Sequence, residues 1–156
     1  MRLCSIVVLS AFLTGTAVSA AEPANMSGTW KLNVDRSKLH GRPAPSSLQI
    51  VIQHNEPKLS YKGRIYTPSA EGDSEFSFDG AIDGKEYPVK VDTTDQRITF
   101  KRLSPYSVQS DMHTVDGKIQ ETATTTISLD GKTLVRRIIR TTPQGKQTWT
   151  ETYDKV

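Results

Sequence analysis

The sequence predicts an all-β protein, an antiparallel up-and-down meander of about eight to nine strands closed into a barrel. Three observations carry this. Apolar and polar residues alternate almost from residue 30 to the end, which is the period of half-buried strands. Turn-forming residues stand where the alternation stops. The stretches between turns leave no room for the helices that parallel crossovers require, so successive strands pair as hairpins. With 156 residues, 35% of them hydrophobic and 24% charged, the chain supports one domain.

Each element follows from the same rule. Trp30, Leu32 and Val34 alternate with Lys31 and Asn33, and Leu48, Ile50 and Ile52 with Gln49 and Gln53. Leu59, Tyr61 and Ile65 share a phase with Gly63, whose missing side chain either makes room inside or relieves a bent strand. Phe76 and Phe78, Ile98 and Phe100, and Tyr106, Val108 and Met112 form further inward sets. In the run from Lys118, Ile119, Ala123, Ile127 and Leu129 oppose a face of Thr122, Thr124, Thr126 and Ser128, β-branched yet wettable. The pairs Asp79-Gly80, Asp83-Gly84, Asp116-Gly117 and Asp130-Gly131, with Asn55-Glu56-Pro57 and Pro143-Gln144-Gly145, mark the turns. Pro88 marks a bulge or an edge, since it has no N–H for a ladder. Closure of such a meander removes its exposed edges; a two-sheet sandwich is the rival, but it calls for connections of more varied length. One connection is long. Asp35 to Ser47 contains Gly41, Pro43 and Pro45 and has no period, so it is either a flap over one barrel mouth or a solvated loop.

The first twenty residues read differently. Arg2, an apolar stretch from Cys4 to Val18 and the small residues of Val18-Ser19-Ala20 form the pattern of a Sec-type signal peptide, cleaved after Ala20. The expected organisation is signal peptide 1–20 and barrel 21–156, periplasmic or secreted, with no membrane anchor after cleavage. Cys4 stands at the start of the apolar stretch and not after it, so it cannot carry a lipid, and the exported chain would have no cysteine: no disulfide, no thiol chemistry and no cysteine-bound zinc.

Catalytic patterns are missing. The three histidines, His40, His54 and His113, stand at no metal-ligand spacing, and there is no nucleophile elbow, phosphate loop or glycine-rich dinucleotide turn. The sequence therefore predicts neither an enzyme nor a bound metal or other cofactor. Glu121 shares the inward phase of Ile119 and Ala123; buried there, it is either neutralised by an inward arginine or protonated. Arg136 and Arg140 fall on one face of their strand and Arg137 on the other. No aromatic residue is interleaved with them, so no nucleic-acid partner is expected. An arginine stacked on an aromatic ring near a barrel end accounts for them better.

Ser27-Gly28-Thr29-Trp30-Lys31-Leu32 carries the Gly-x-Trp signature of lipocalins. Together with Asp83-Gly84-Lys85-Glu86-Tyr87-Pro88-Val89, Asp130-Gly131-Lys132-Thr133 and Tyr153-Asp154-Lys155 it resembles small bacterial lipocalin-like proteins of the secreted or periplasmic kind, over about residues 27–156. The resemblance implies a calycin-type barrel in which Trp30 plugs the closed end and Arg136 or Arg140 packs across it. No helix signal follows the last hairpin, and the chain is shorter than a typical lipocalin. Two functions follow. In one, a small hydrophobic or amphipathic ligand sits among Tyr61, Phe76, Phe78, Phe100, Tyr106 and Glu121, where Gly63, Ser110 and Thr125 leave space or a polar handle. In the other, the barrel is packed solid and binds or inhibits a protein through loops such as Asp35 to Ser47.

Overall fold

The computed structural model describes residues 21–67, 73–92 and 94–156; the predicted signal peptide lies outside them. Ten strands run β1 (Gly28–Leu32), β2 (Ser47–Asn55), β3 (Lys58–Tyr66), β4 (Ser74–Ala81), β5 (Glu86–Val91), β6 (Thr94–Ser104), β7 (Ser107–Thr114), β8 (Gln120–Ile127), β9 (Thr133–Thr142) and β10 (Gly145–Lys155). Each pairs antiparallel with its chain neighbours, and β1 pairs with β10 through Trp30 opposite Lys155 and Leu32 opposite Tyr153, so the meander closes. Each of the described strands is paired on both sides, so none of them is left as an edge.

The count of ten exceeds the predicted eight to nine. Pro88, which the sequence placed at a bulge or an edge, lies inside β5 opposite Arg97 on β6. The β4–β5 ladder takes in only Val89 to Val91, beginning at the residue after the proline, while pairing with β6 extends over Glu86 to Val91 on the other side of the strand. Two strands also end earlier than their alternation suggested: Val34 and Leu129 lie in turns and are exposed.

Asp116 and Asp130 shape their turns alike. Each carboxylate accepts a hydroxyl two residues earlier, from Thr114 (2.6 Å) or Ser128 (2.5 Å), and the backbone N–H of Lys118 or Lys132 two residues later (3.1 Å each). Asp79-Gly80 is not a turn. It lies inside β4 opposite Ser60 and Leu59, and its glycine serves packing: a Cβ there would sit 2.7 Å from Phe78 Cζ and 2.8 Å from Tyr87 Cγ. Gly63 has the same purpose. Its missing side chain is filled by the ring of Phe76 directly across the ladder, whose Cζ would be 2.0 Å from an added Cβ. The space at Gly63 therefore belongs to a phenylalanine rather than to a ligand.

Up-and-down topology gathers the connections after odd-numbered strands at one end of the barrel and those after even-numbered strands at the other. The second end is plugged by the segment before β1. Ala24 N donates to Pro105 O (2.8 Å), Met26 N to His54 Nδ1 (3.2 Å), and Trp30 Nε1 to Met26 O (2.9 Å). Trp30 is fully buried there, within a core that also holds Leu32, Leu48, Leu134 and Tyr153. The cation across its ring is Lys155, with Nζ 5.3 Å from the centroid; Arg136 and Arg140 are elsewhere. At the other end, the Asp35–Ser47 connection is sewn to β10 by paired Lys38–Thr150 backbone bonds (2.8 and 2.9 Å) and by Thr152 N donating to Ser37 Oγ (3.0 Å). Leu39 packs on Ala123, Ile138 and Trp149. The connection is a flap over the mouth.

Candidate functional site

The inward faces of the strands do not fill the barrel. They enclose a cavity of about 410 Å³, within the range of small-molecule sites. The interior is thus not the solid core that a purely loop-binding module would have.

One side of the cavity wall is aromatic and aliphatic. Tyr61 stacks on Phe78 (5.3 Å between centroids), Phe78 meets Phe100 (4.9 Å), and Phe76 stands edge-on to Tyr61 (6.0 Å). Tyr61, Phe76 and Phe100 face the cavity, joined by Ile50, Ile98 and Met112. Two sequence-predicted lining residues do not. Phe78 lies behind Tyr61 and Phe100 in the closed core, with Tyr87 edge-on to it (5.9 Å). Tyr106 occupies the β6–β7 turn with Pro105 and is exposed, because β7 begins one residue later, at Ser107.

The opposite wall, built from β8, β9 and β10, is charged. Glu121 is buried and bound by two arginines: Arg136 Nη2 donates to Oε1 (2.7 Å), and Arg140 donates to Oε2 from Nε (2.8 Å) and Nη2 (2.6 Å). Register places them together, since Glu121 is the cross-strand partner of Arg140, and Arg136 stands two inward steps back along β9, beyond Ile138. Burial pushes the Glu121 carboxyl up, but the Arg136 and Arg140 charges outweigh it and hold the group below the usual carboxylate range. Glu121 is therefore ionised and neutralised by inward arginines, one of the two states the sequence allowed. Arg136 and Arg140 are cavity groups, and the expectation that one of them packs across Trp30 is corrected.

β10 completes this wall with Trp149, Glu151 and Tyr153, all on one phase. Glu151 accepts from Trp149 Nε1 and from the Tyr153 hydroxyl, both at 2.8 Å, and lies 3.6 Å from Arg136 Nη1. Burial and the Glu151 charge raise the Tyr153 phenol well above its usual value, so it stays a donor. Burial likewise pushes the Tyr61 phenol up to about 12. From the flap, Arg42 lays its guanidinium 3.9 Å from the Trp149 ring centroid, with Arg140 5.2 Å from the same ring, and donates to Gln147 Oε1 (3.0 Å). Burial and the neighbouring Arg140 charge lower the Arg42 pKa. Three half-buried guanidiniums thus meet two carboxylates at the cavity, an excess of one positive charge on this wall.

Trp149, Glu151 and Tyr153 were readable in principle, since Thr148, Thr150 and Thr152 alternate with them. Arg42 had no periodic signal, being in an aperiodic connection. A second cluster beyond the cavity, His54, Glu56 and Arg102, ties β2 to β6 at the plugged end. His54 Nε2 lies 2.7 Å from Glu56 Oε2, and Arg102 pairs with the same carboxylate. Among the described residues no group of three or more histidine, cysteine, aspartate or glutamate side chains could hold a metal ion.

No family model and no curated protein sequence matches the chain. Solved structures do. A secretory abundant heat soluble protein 4 from Ramazzottius varieornatus aligns at TM-score 0.59 and 14% identity over 88% of this chain and 99% of its own. Another secretory abundant heat soluble protein from the same organism gives 0.59 and 13%, over 85% and 97%. The zebrafish ileal bile acid-binding protein, solved with cholic acid, gives 0.53 and 19%, over 84% and 98%. At these identities the likeness is one of fold. The chain is an all-β, closed antiparallel ten-stranded barrel that shares its fold with these proteins, with a cavity whose wall is apolar on one side and cationic on the other.

Proposed function

We propose that the protein is an exported, non-enzymatic carrier that holds one small amphipathic molecule inside the barrel, its apolar part against Tyr61, Phe76, Phe100, Ile50 and Met112 and its acidic head toward Arg42, Arg136 and Arg140. The observation that carries this reading is the 410 Å³ cavity with aromatic rings on one side and an excess positive charge on the other. An apolar ligand surface gains by leaving water, and an anion gains from preorganised guanidiniums in a site of low dielectric. The cholic acid bound by the zebrafish protein is a precedent for an amphipathic acid inside such a barrel.

Filling the cavity tests the reading. Ser110 faces the space between Phe100 and Ala123. The wild type is expected to bind an environment-sensitive fluorescent fatty acid one-to-one. Ser110→Phe should weaken that binding at least tenfold, about 1.4 kcal/mol, while leaving the far-ultraviolet spectrum of a β protein intact. Absence of saturable binding by the wild type, or unchanged affinity in a folded Ser110→Phe, refutes the carrier.

A further inference from the structure

Gln96 carries a polar atom that the cluster of arginines and glutamates does not use. It lies on the inward phase of β6 with Ile98 and Phe100, opposite Val89 on β5 and Thr114 on β7, and it lines the cavity. Its side-chain oxygen is buried and finds no hydrogen-bond partner among the described residues. A buried acceptor left unmade carries a free-energy penalty, so native proteins normally satisfy it. The nearest polar neighbour on the ladder cannot do so. Thr114 has one hydroxyl hydrogen, and it is donated to Asp116 Oδ1 at 2.6 Å. The other cavity groups nearby, Val89, Val91, Ile98 and Met112, have no side-chain donor at all.

The position of Gln96 matters as much as its state. β6 is four strands away from β10 around the closed barrel, so the acceptor stands on a different wall from Arg136, Arg140 and Trp149. The two walls ask for different chemistry. The arginines attract an acidic head, and the glutamine oxygen, in aliphatic surroundings, accepts from a neutral O–H or N–H.

We infer that Gln96 is a specificity residue, and that the ligand is an amphipathic acid bearing a second, neutral hydrogen-bond donor, a hydroxylated acid, which donates to Gln96 Oε1. This rests on the carrier reading and narrows it: a plain alkyl acid would leave the acceptor buried and unpaired, whereas the hydroxylated one satisfies it. Discrimination of this kind arises because the site is built around a polar group that only one ligand can pair.

The test compares decanoic acid with its monohydroxylated positional isomers by displacement of the fluorescent fatty acid. In the wild type at least one hydroxydecanoic acid should bind ten or more times tighter than decanoic acid. In Gln96→Leu, an apolar side chain one atom shorter that lacks the acceptor, that preference should vanish and decanoic acid should bind as well as before or better. Gln96→Glu, which retains an acceptor at the same place, should keep the preference. If every isomer binds the wild type no tighter than decanoic acid, or if Gln96→Leu keeps the preference, the inference is wrong while the carrier reading stands. If none of the acids displaces the probe from wild type, both fall. Thermal unfolding of the two variants without ligand establishes that they are folded.

Discussion

Replacing Trp30 by alanine destabilises the barrel by about 3–5 kcal/mol, read as a large fall in the denaturant midpoint at unchanged slope. The indole is fully buried, and three contacts depend on it. Its N–H satisfies the Met26 carbonyl, which fixes the plug segment under the barrel end. Its ring fills the space between β1, β2 and β10, where Ile50 and Lys155 are its cross-strand partners, and its face is covered by the Lys155 ammonium. Alanine leaves a void that the closed ladder cannot collapse to fill, because β1 is bonded on both sides. A Trp30→Phe variant recovers most of the volume but not the donor, and should fall between the two. A midpoint for Trp30→Ala near that of the wild type would mean that Trp30 is no plug.

The second large effect belongs to Glu121. Glu121→Ala leaves Arg136 and Arg140 facing each other with no carboxylate between them, and should cost about 3 kcal/mol. The figure lies at the low end for a broken buried pair because the two arginines keep 30% and 32% of their side-chain surface accessible. Its pH dependence has a definite sign. The folded-state pKa of Glu121 is below its ordinary value of 4.5, so the unfolded chain takes up the proton first. The stabilisation is complete above that value and is lost as pH falls through the lower, folded value. The stability gap between wild type and Glu121→Ala should therefore be constant near neutrality and narrow below about pH 4.5. A gap that is absent at pH 7, or that widens in acid, would mean that the carboxylate is not ionised among its arginines.

The sequence foretold the meander and its closure because both depend on local signals: a two-residue period and turn chemistry at each break. It foretold the inward phase of Glu121 for the same reason. What failed were places where tertiary packing overrode local preference. Asp79-Gly80 has the composition of a hairpin turn, yet the glycine is spent on accommodating Phe78 and Tyr87. Tyr106 continues the alternation of Val108 and Met112 on paper, yet a tight Pro105-Tyr106 turn takes it out of the strand. Phe76 and Phe78 share a phase, but only Phe76 reaches the cavity, because the layer of Tyr61 and Phe100 covers Phe78. The pairing of Arg136 and Arg140 with Glu121 depends on the β8–β9 register, which is a long-range property. Arg42 and Gln96 were beyond reach, one in an aperiodic flap and the other polar in an otherwise apolar phase, identifiable only once the cavity was seen.

The central claim, that the interior and not the outer surface receives the ligand, is tested most directly by methyl resonances during a titration with decanoic acid. Methyl groups of Ile50, Ile52, Ile98 and Met112 line the cavity, while those of Val51, Val115 and Leu129 face outward. The account predicts saturable shifts at the first set and none at the second. Shifts confined to Val51, Val115 and Leu129, or no saturable shift at all, would contradict it.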